Sequence, residues 1–209
     1  MRGVIFDVDG TLWDSTEKVL RSWHKACEEH HVSGERITSE RLKKEFGKTL
    51  EDIGQSLFPE LPLDRAVSIA FRACELENVM LPEDPPAVYD GVPELFRALA
   101  ERGHSIYIVS NCLQGYIETL LGTSGLSPLV TDHLCAGDTG VGKSETMRIL
   151  IEKNHVPAPV YVGDTMGDYN STKALGLPFI FAAYGFGEVA SPDAVIHSPL
   201  ELLEVLETM

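Results

Sequence analysis

Two aspartates near the start of the chain have the spacing of a catalytic or metal-binding pair. Asp7 and Asp9 follow the apolar run Val4-Ile5-Phe6, and Gly10 and Thr11 come next. Side chains alternate along an extended segment, so residues two positions apart point the same way. Two carboxylates this close repel each other, and a divalent cation or a shared proton relieves the repulsion. On their own, these residues also fit an acidic turn at the end of a strand.

Composition narrows the class of protein. The chain has 209 residues, 44% of them hydrophobic, which is enough for one sizeable core or for a core with an inserted subdomain. A net charge of −15 argues against nucleic acid or an anionic membrane as the main partner. No apolar run reaches the roughly 18 residues of a membrane span. The first predicted strand starts at about residue 3 and leaves no room for a signal peptide.

The four cysteines form no CxxC pair, which is typical of free thiols in a reducing compartment. We therefore expect a soluble, cytoplasmic protein. Whether it is a monomer or a homodimer stays open.

Residues 15–84 show helical spacing and no strand-like alternation. Predicted helices cover residues 16–31, 38–46, 49–57 and 63–80. Asp14 and Ser15 are predicted to cap the first of them. A proline-rich connector over residues 81–86 ends the block. We expect a small all-helical bundle inserted after the first strand.

Strands and helices alternate from Val88 onward. Predicted strands cover residues 105–109, 133–136, 159–163, 178–182 and 194–196, and predicted helices cover 91–102, 114–121, 144–154, 170–175 and 200–206. This alternation predicts an α/β fold with a Rossmann-like, doubly wound parallel sheet, to which the first strand also belongs. The predicted domains are an α/β core of residues 1–14 and 85–209 and an all-helical domain of residues 15–84.

Polar residues follow the predicted strands at their carboxyl ends. Ser110 and Asn111 follow the strand at 105–109. Asp164 follows the strand at 159–163, with Asp168 four positions on, and Lys143 opens a helix. Ligands of such sheets bind beyond the carboxyl ends of the strands. We expect these side chains to meet the two aspartates of the first strand at one edge, as a magnesium and phosphate site.

These motifs resemble the four signature motifs of the haloacid dehalogenase superfamily, in its phosphoglycolate-phosphatase-like branch. The motifs are Asp7-Val8-Asp9-Gly10-Thr11, Val109-Ser110-Asn111, Lys143, and Gly163-Asp164-Thr165 with Asp168. They occur in the family's order and span most of the chain. The helical block resembles the inserted cap domain of that branch. Haloacid dehalogenases proper lack the second aspartate and the metal. The presence of Asp9 in this chain therefore favours phosphoryl chemistry over dehalogenation.

The resemblance implies a Mg²⁺-dependent phosphatase that hydrolyses a small, phosphoglycolate-like phosphomonoester through an aspartyl-phosphate. Asp7 would be the nucleophile, and Asp9 the general acid and then the general base. Mg²⁺ would be held by the Asp7 carboxylate, the Asp9 backbone carbonyl and Asp164. Asp168 would help to hold it directly or through a water.

The resemblance also implies contacts to substrate. Ser110 and Lys143 would bind the phosphoryl oxygens and offset charge in the transition state. Thr11 and Asn111 would support the loop and the phosphate. Lys48, in a glycine-containing loop between two predicted helices, would meet a second anionic group such as a carboxylate. It equally fits a solvated lysine near a helix end.

Three alternatives remain open. Residues 137–144 match the P-loop pattern G-x-x-x-x-G-K-[ST] in full, which predicts nucleotide hydrolysis or binding, although the strand before them is weak. A phosphomutase of the β-phosphoglucomutase kind shares the same core residues. The third alternative is a degenerate binding or regulatory module on this fold. The presence of a suitable residue at every catalytic position argues against it. Phosphoglycolate, a sugar phosphate, a nucleoside monophosphate and pyrophosphate all remain candidate substrates.

Overall fold

The computed structural model describes residues 1–209 and contains one six-stranded sheet in which all neighbouring strands are parallel. Its strands are β1 (Gly3–Phe6), β2 (Ser105–Ser110), β3 (Asp132–Cys135), β4 (Val160–Gly163), β5 (Phe179–Ala182) and β6 (Ala194–Ile196). They lie in the order β3-β2-β1-β4-β5-β6. The strand order reverses beside β1, where doubly wound sheets bind their ligands. The predicted fold class is confirmed.

The helices follow the predicted pattern with shifts at their ends. They are α1 (Thr16–Glu29), α2 (Ser39–Lys43), α3 (Leu50–Leu57), α4 (Leu63–Met80), α5 (Val92–Glu101), α6 (Tyr116–Ser124), α7 (Ala136–Thr139), α8 (Lys143–Asn154), α9 (Met166–Ala174) and α10 (Leu202–Thr208). Short 3-10 turns occupy Ser127–Leu129 and Pro199–Glu201. Helix α7 was not predicted, and α9 begins four residues before the predicted 170. None of the helices is both long enough and apolar enough to cross a bilayer.

Strand β1 is buried on both faces, which explains its uninterrupted apolar sequence. Val4 and Phe6 belong to one hydrophobic core, to which α5, α6 and α10 contribute. Ile5 belongs to a second core, to which α8 contributes. The hydrogen bond from Asp7 N to Val162 O (2.9 Å) continues the pairing with β4 past the end of the strand. The backbone that presents Asp7 is therefore held on both faces and on both edges.

Helices α1 to α4 form a hydrophobic core of their own. Its 13 buried members, Trp23 and Ile69 among them, all come from residues 19–76. We call residues 15–84 the helical insert. Hydrogen bonds connect it to the α/β core: Asn111 Nδ2 donates to Gly47 O (2.8 Å) in the loop after α2, and Asn78 Nδ2 of α4 donates to Gln114 O (2.7 Å). The insert therefore lies directly against the edge of the sheet that follows β1 and β2.

Packing of α5 on β1 generates the first prediction. Phe96 is fully buried, with its ring 5.0 Å from that of Phe6. We expect Phe96→Ala to lower the free energy of unfolding by about 3–5 kcal/mol, because it leaves a cavity beneath the central strand. Phe71→Ala is the control, since Phe71 is exposed on α4, and it should change stability by no more than about 0.5 kcal/mol. Urea unfolding measures both. Equal effects would contradict this account of the core.

Candidate active site

The register of the three central strands brings their carboxyl ends level. Phe6 of β1 pairs with Ile108 of β2 and Val162 of β4. Ser110 and Asp164 each lie two residues beyond their paired residue, next to Asp7. Two helices complete the group: Lys143 is the first residue of α8, and Asp168 lies in the first turn of α9. These five side chains are buried. The predicted convergence at one sheet edge is therefore present.

A buried lysine joins two of the carboxylates. Lys143 Nζ lies 2.8 Å from Asp7 Oδ1 and 2.5 Å from Asp168 Oδ1. Burial alone would lower the pKa of Lys143, but the charges of Asp168 and Asp7 outweigh it and raise the pKa well above its ordinary value. Lys143 is therefore a fixed positive charge beside Asp7.

Three carboxylates at this site share one positive charge. Asp7, Asp164 and Asp168 each place an oxygen within 4.8 Å of the others. Burial and the charge of Asp168 raise the pKa of Asp7 to about 7, although Lys143 acts in the opposite direction. Burial, with Asp168 and Asp7, also raises the pKa of Asp164 well above its ordinary value. Lys143 alone does not balance the cluster. A hard divalent cation would supply the missing charge, so the residues fit Mg²⁺.

Asp164 is enclosed by main chain. Its Oδ2 accepts a hydrogen bond from Phe186 N (2.8 Å), and its Oδ1 accepts one from Thr11 Oγ1 (3.2 Å). Gly10, with a φ of 82°, passes so close that a Cβ there would lie 2.1 Å from Asp164 Oδ2. Thr11 is fully buried. Its hydroxyl is directed at Asp164 and holds the loop against it, and a contact between Thr11 and substrate stays a prediction.

Asp9 has a different environment from Asp7. Its Oδ1 accepts hydrogen bonds from Trp13 Nε1 (3.0 Å), Ser15 Oγ (2.5 Å) and Tyr116 Oη (2.8 Å). Burial raises the pKa of Asp9 to about 6, and the hydrogen bonds from Ser15, Tyr116 and Trp13 limit the rise. Its side chain is not part of the three-carboxylate cluster, and a contact between its backbone carbonyl and a metal stays a prediction.

Sequence reasoning missed the residues that hold Asp9. Ser15 was assigned to the cap of α1, but Asp14 Oδ1 accepts from Thr16 N (3.0 Å) there, and the Ser15 hydroxyl binds Asp9 instead. Tyr116 lies at the start of α6, more than a hundred positions from Asp9 along the chain. No local spacing signals such a contact.

Asn111 and Lys48, both predicted to meet substrate, line one cavity of about 70 Å³ between the helical insert and the sheet edge. Asp9 and Ser110 line the same cavity. Lys48 Nζ lies 2.8 Å from Glu45 Oε2 and is thus already paired. A contact between Lys48 and a substrate stays a prediction.

The P-loop alternative does not agree with the geometry. Residues 136–139 form helix α7, where a P-loop requires an open loop around phosphate. Lys143 is directed at Asp7 and Asp168, away from any such loop. The lysine of the pattern therefore belongs to the carboxylate site.

Glu77 is a buried acid of α4 that forms no ion pair. It lines the same cavity, and its Oε1 accepts a hydrogen bond from Trp23 Nε1 (3.1 Å). Burial, and then the charge of Asp9, raise the pKa of Glu77 to about 8. Its carboxyl group therefore keeps its proton at neutral pH.

A model of the haloacid dehalogenase-like hydrolase family matches residues 4–182, a range that contains every predicted catalytic, substrate-binding and metal-binding residue. The chain belongs to the haloacid dehalogenase-like hydrolase family. The resemblance in the four motifs is thereby confirmed.

Relatives of this hydrolase match it over nearly its full length. The phosphoglycolate phosphatase of Aquifex aeolicus is 26% identical over 216 residues, which cover 99% of this chain and 97% of that protein. The phosphoglycolate phosphatase of Rhodospirillum rubrum is 28% identical over 208 residues, which cover 93% and 85%.

Solved structures share the fold of this hydrolase. A predicted phosphatase from Clostridium acetobutylicum superimposes with a TM-score of 0.87 at 20% identity and full coverage of both chains. A predicted phosphoglycolate phosphatase from Haemophilus somnus gives 0.85 at 17% identity, over 99% and 98% of the two chains. At these identities the likeness is one of fold.

The close approach of Gly10 to Asp164 generates the second prediction. We expect Gly10→Ala to lower kcat at least about tenfold and to destabilise the fold by about 1–2 kcal/mol, because alanine is strained at positive φ and its Cβ displaces the carboxylate. Gly122→Ala is the control, because its Cβ meets nothing within 4 Å in α6, and it should stabilise slightly. Steady-state kinetics and thermal unfolding measure both. Full activity of Gly10→Ala would contradict the described cradle.

The raised pKa of Glu77 generates the third prediction. The folded chain keeps a proton up to about pH 8 that an unfolded chain releases near its ordinary 4.5. Stability therefore falls as pH rises between these values. Glu77→Gln keeps the shape and removes the titration, so this variant should gain stability over the wild type with rising pH. One pKa unit corresponds to about 1.4 kcal/mol, so the gain at pH 8 is of the order of a few kcal/mol. Urea unfolding of both proteins at pH 5 and pH 8 measures the difference in stability. A difference that is the same at both pH values would contradict this prediction.

Proposed function

We propose that this hydrolase is a Mg²⁺-dependent phosphatase that cleaves a small phosphomonoester through a phosphorylated Asp7. The observation that carries the proposal is a buried Asp7 at the end of the central strand, paired with Lys143 and within 4.8 Å of two further carboxylates. The names of the full-length relatives support a phosphatase of small phosphoesters. Four free cysteines suit the reducing cytoplasm, where we place the protein.

Asp7 is the nucleophile in this proposal. One of its carboxylate oxygens attacks phosphorus and forms an acyl-phosphate bond while the ester bond to the leaving alcohol breaks. Water then attacks phosphorus, releases inorganic phosphate and regenerates the carboxylate. The backbone at Asp7 is held by both cores and by β4, so the nucleophile is positioned before substrate binds.

Asp9 carries the proton. Three donors fix one of its oxygens, at the boundary between the carboxylate site and the cavity. In the first step Asp9 gives its proton to the leaving oxygen, and in the second it takes a proton from the attacking water. A side chain anchored in this way keeps the same position in both steps.

Lys143 and Ser110 bind the phosphoryl oxygens. Lys143 offsets negative charge that spreads over these oxygens in the transition state, and Ser110 donates a hydrogen bond from the end of β2. Asp7, Asp164, Asp168 and the Asp9 carbonyl would hold Mg²⁺, which supplies further positive charge to the phosphoryl group when bound.

The helical insert acts as a cap over this site in the same proposal. The loop after α2 reaches the sheet edge through Gly47 and Asn111, and the cavity that receives the leaving group lies beneath it. Closure of the insert excludes bulk water from the acyl-phosphate. A phosphomutase stays an alternative, because it shares these core residues.

Phosphate release tests the proposal and is the fourth prediction. We expect release from a panel of small phosphomonoesters with Mg²⁺, a loss of at least about 10³-fold in Asp7→Asn, and a comparable loss on chelation of the metal. Asp64→Asn is the control, because Asp64 is exposed on α4, and it should retain full activity.

Two other outcomes would redirect the proposal. Release from ATP alone that survives Asp7→Asn but not Lys143→Ala would favour nucleotide hydrolysis at residues 137–144. Transfer of phosphate between positions of a sugar, with little free phosphate, would favour a mutase.

A further inference from the structure

The cavity beside Asp9 has a charge pattern that bears on the leaving group. Its 15 lining residues include three carboxyl groups, those of Asp9, Glu45 and Glu77, and a single cation, Lys48. Lys48 is already paired with Glu45, whose other oxygen accepts from Ser56 Oγ (2.8 Å). The cavity wall therefore carries more carboxyl groups than cations, and its one lysine already has a carboxylate partner.

The uncharged groups of the cavity offer acceptors. Asn111 Nδ2 is fixed by its hydrogen bond to Gly47 O, which leaves Oδ1 as the other amide atom, and this oxygen is buried with no hydrogen-bond partner. A buried polar atom without a partner is costly and marks a place where a ligand can bind. Because Oδ1 only accepts hydrogen bonds, its ligand must be a donor such as a hydroxyl group.

Glu77 adds a second buried polar group that a hydroxyl can partner, because a carboxyl group accepts a hydrogen bond in either protonation state. It is 93% buried, forms no ion pair and takes one hydrogen bond, from Trp23. A carboxylate brought beside Glu77 would lie in a mostly apolar space whose one lysine is already paired with Glu45, where an added negative charge is disfavoured. A hydroxyl group would instead satisfy both Glu77 and Asn111.

The cavity has room for a small leaving group. Its volume is about 70 Å³, roughly half that of the ~150 Å³ cavity that admits benzene. An alcohol of two or three carbons fits this space.

We propose that the preferred substrate carries a compact, hydroxylated and uncharged alcohol, and that Glu77 and the Asn111 amide oxygen select it over a leaving group with a carboxylate. This rests on the proposed phosphatase function and narrows it. The preferred substrate would then differ from phosphoglycolate, the substrate that the names of the relatives give.

The test compares two phosphate esters that differ in one group. Phosphoglycolate carries a carboxylate where 2-hydroxyethyl phosphate carries a hydroxymethyl group of similar size. At pH 8.5, with Mg²⁺, we expect kcat/KM for 2-hydroxyethyl phosphate to exceed that for phosphoglycolate at least tenfold. Glu77→Gln should reduce this ratio at least threefold, because the amide keeps the shape of the side chain and removes the carboxyl group that we propose as a selecting group. Glu75→Gln, an exposed change two residues away on α4, should leave the ratio unchanged.

The outcomes separate the two proposals. Asp7-dependent hydrolysis in which phosphoglycolate is preferred would overturn this inference and leave the phosphatase proposal standing. Hydrolysis of neither ester, or hydrolysis that survives Asp7→Asn, would overturn both. Should Glu77→Gln fail to fold, the wild-type ratio decides alone.

Discussion

Repulsion among the buried carboxylates of Asp7, Asp164 and Asp168 is the constraint on which the rest of the site depends. Their oxygens lie within 4.8 Å of one another, and Lys143 contacts only two of them. Such a cluster persists only where the surrounding structure is stable enough to hold it. The sheet supplies that stability at its most constrained position, beside the central strand. The same excess of negative charge would supply the binding energy for a divalent cation.

The two aspartates of the first motif show how environment separates chemical roles. They are two residues apart, yet Asp7 faces a lysine and two carboxylates, whereas Asp9 faces an indole, a hydroxyl and a phenol. One group is arranged among charges, and the other is arranged among neutral donors. Pairs of titratable groups in contrasting surroundings are the usual basis for dividing nucleophilic and acid–base work.

The sequence predicted those parts of the molecule that depend on local pattern. Continuous apolar runs located β1, β2, β4 and β5, and polar residues after them located the site. The start of α9 was misplaced, because the capping interaction of Thr165 with Asp168 lies in a polar stretch without apolar periodicity. The environment of Asp9 was missed for a different reason. Trp13 and Ser15 follow Asp9 within six positions, in a segment without regular periodicity, and Tyr116 comes from α6, more than a hundred positions away, so no spacing in the sequence signals the three contacts.

The central position of β1 has a consequence for synthesis of the chain. Val4 pairs with Ile106 on one side and with Val160 on the other. During translation β1 is therefore made roughly 100 residues before its partner β2 and roughly 155 residues before its partner β4. The helical insert, whose core is drawn from residues 19–76 alone, can become compact long before that. During translation the folded insert is thus expected to precede the sheet, and the site assembles only when β4 emerges.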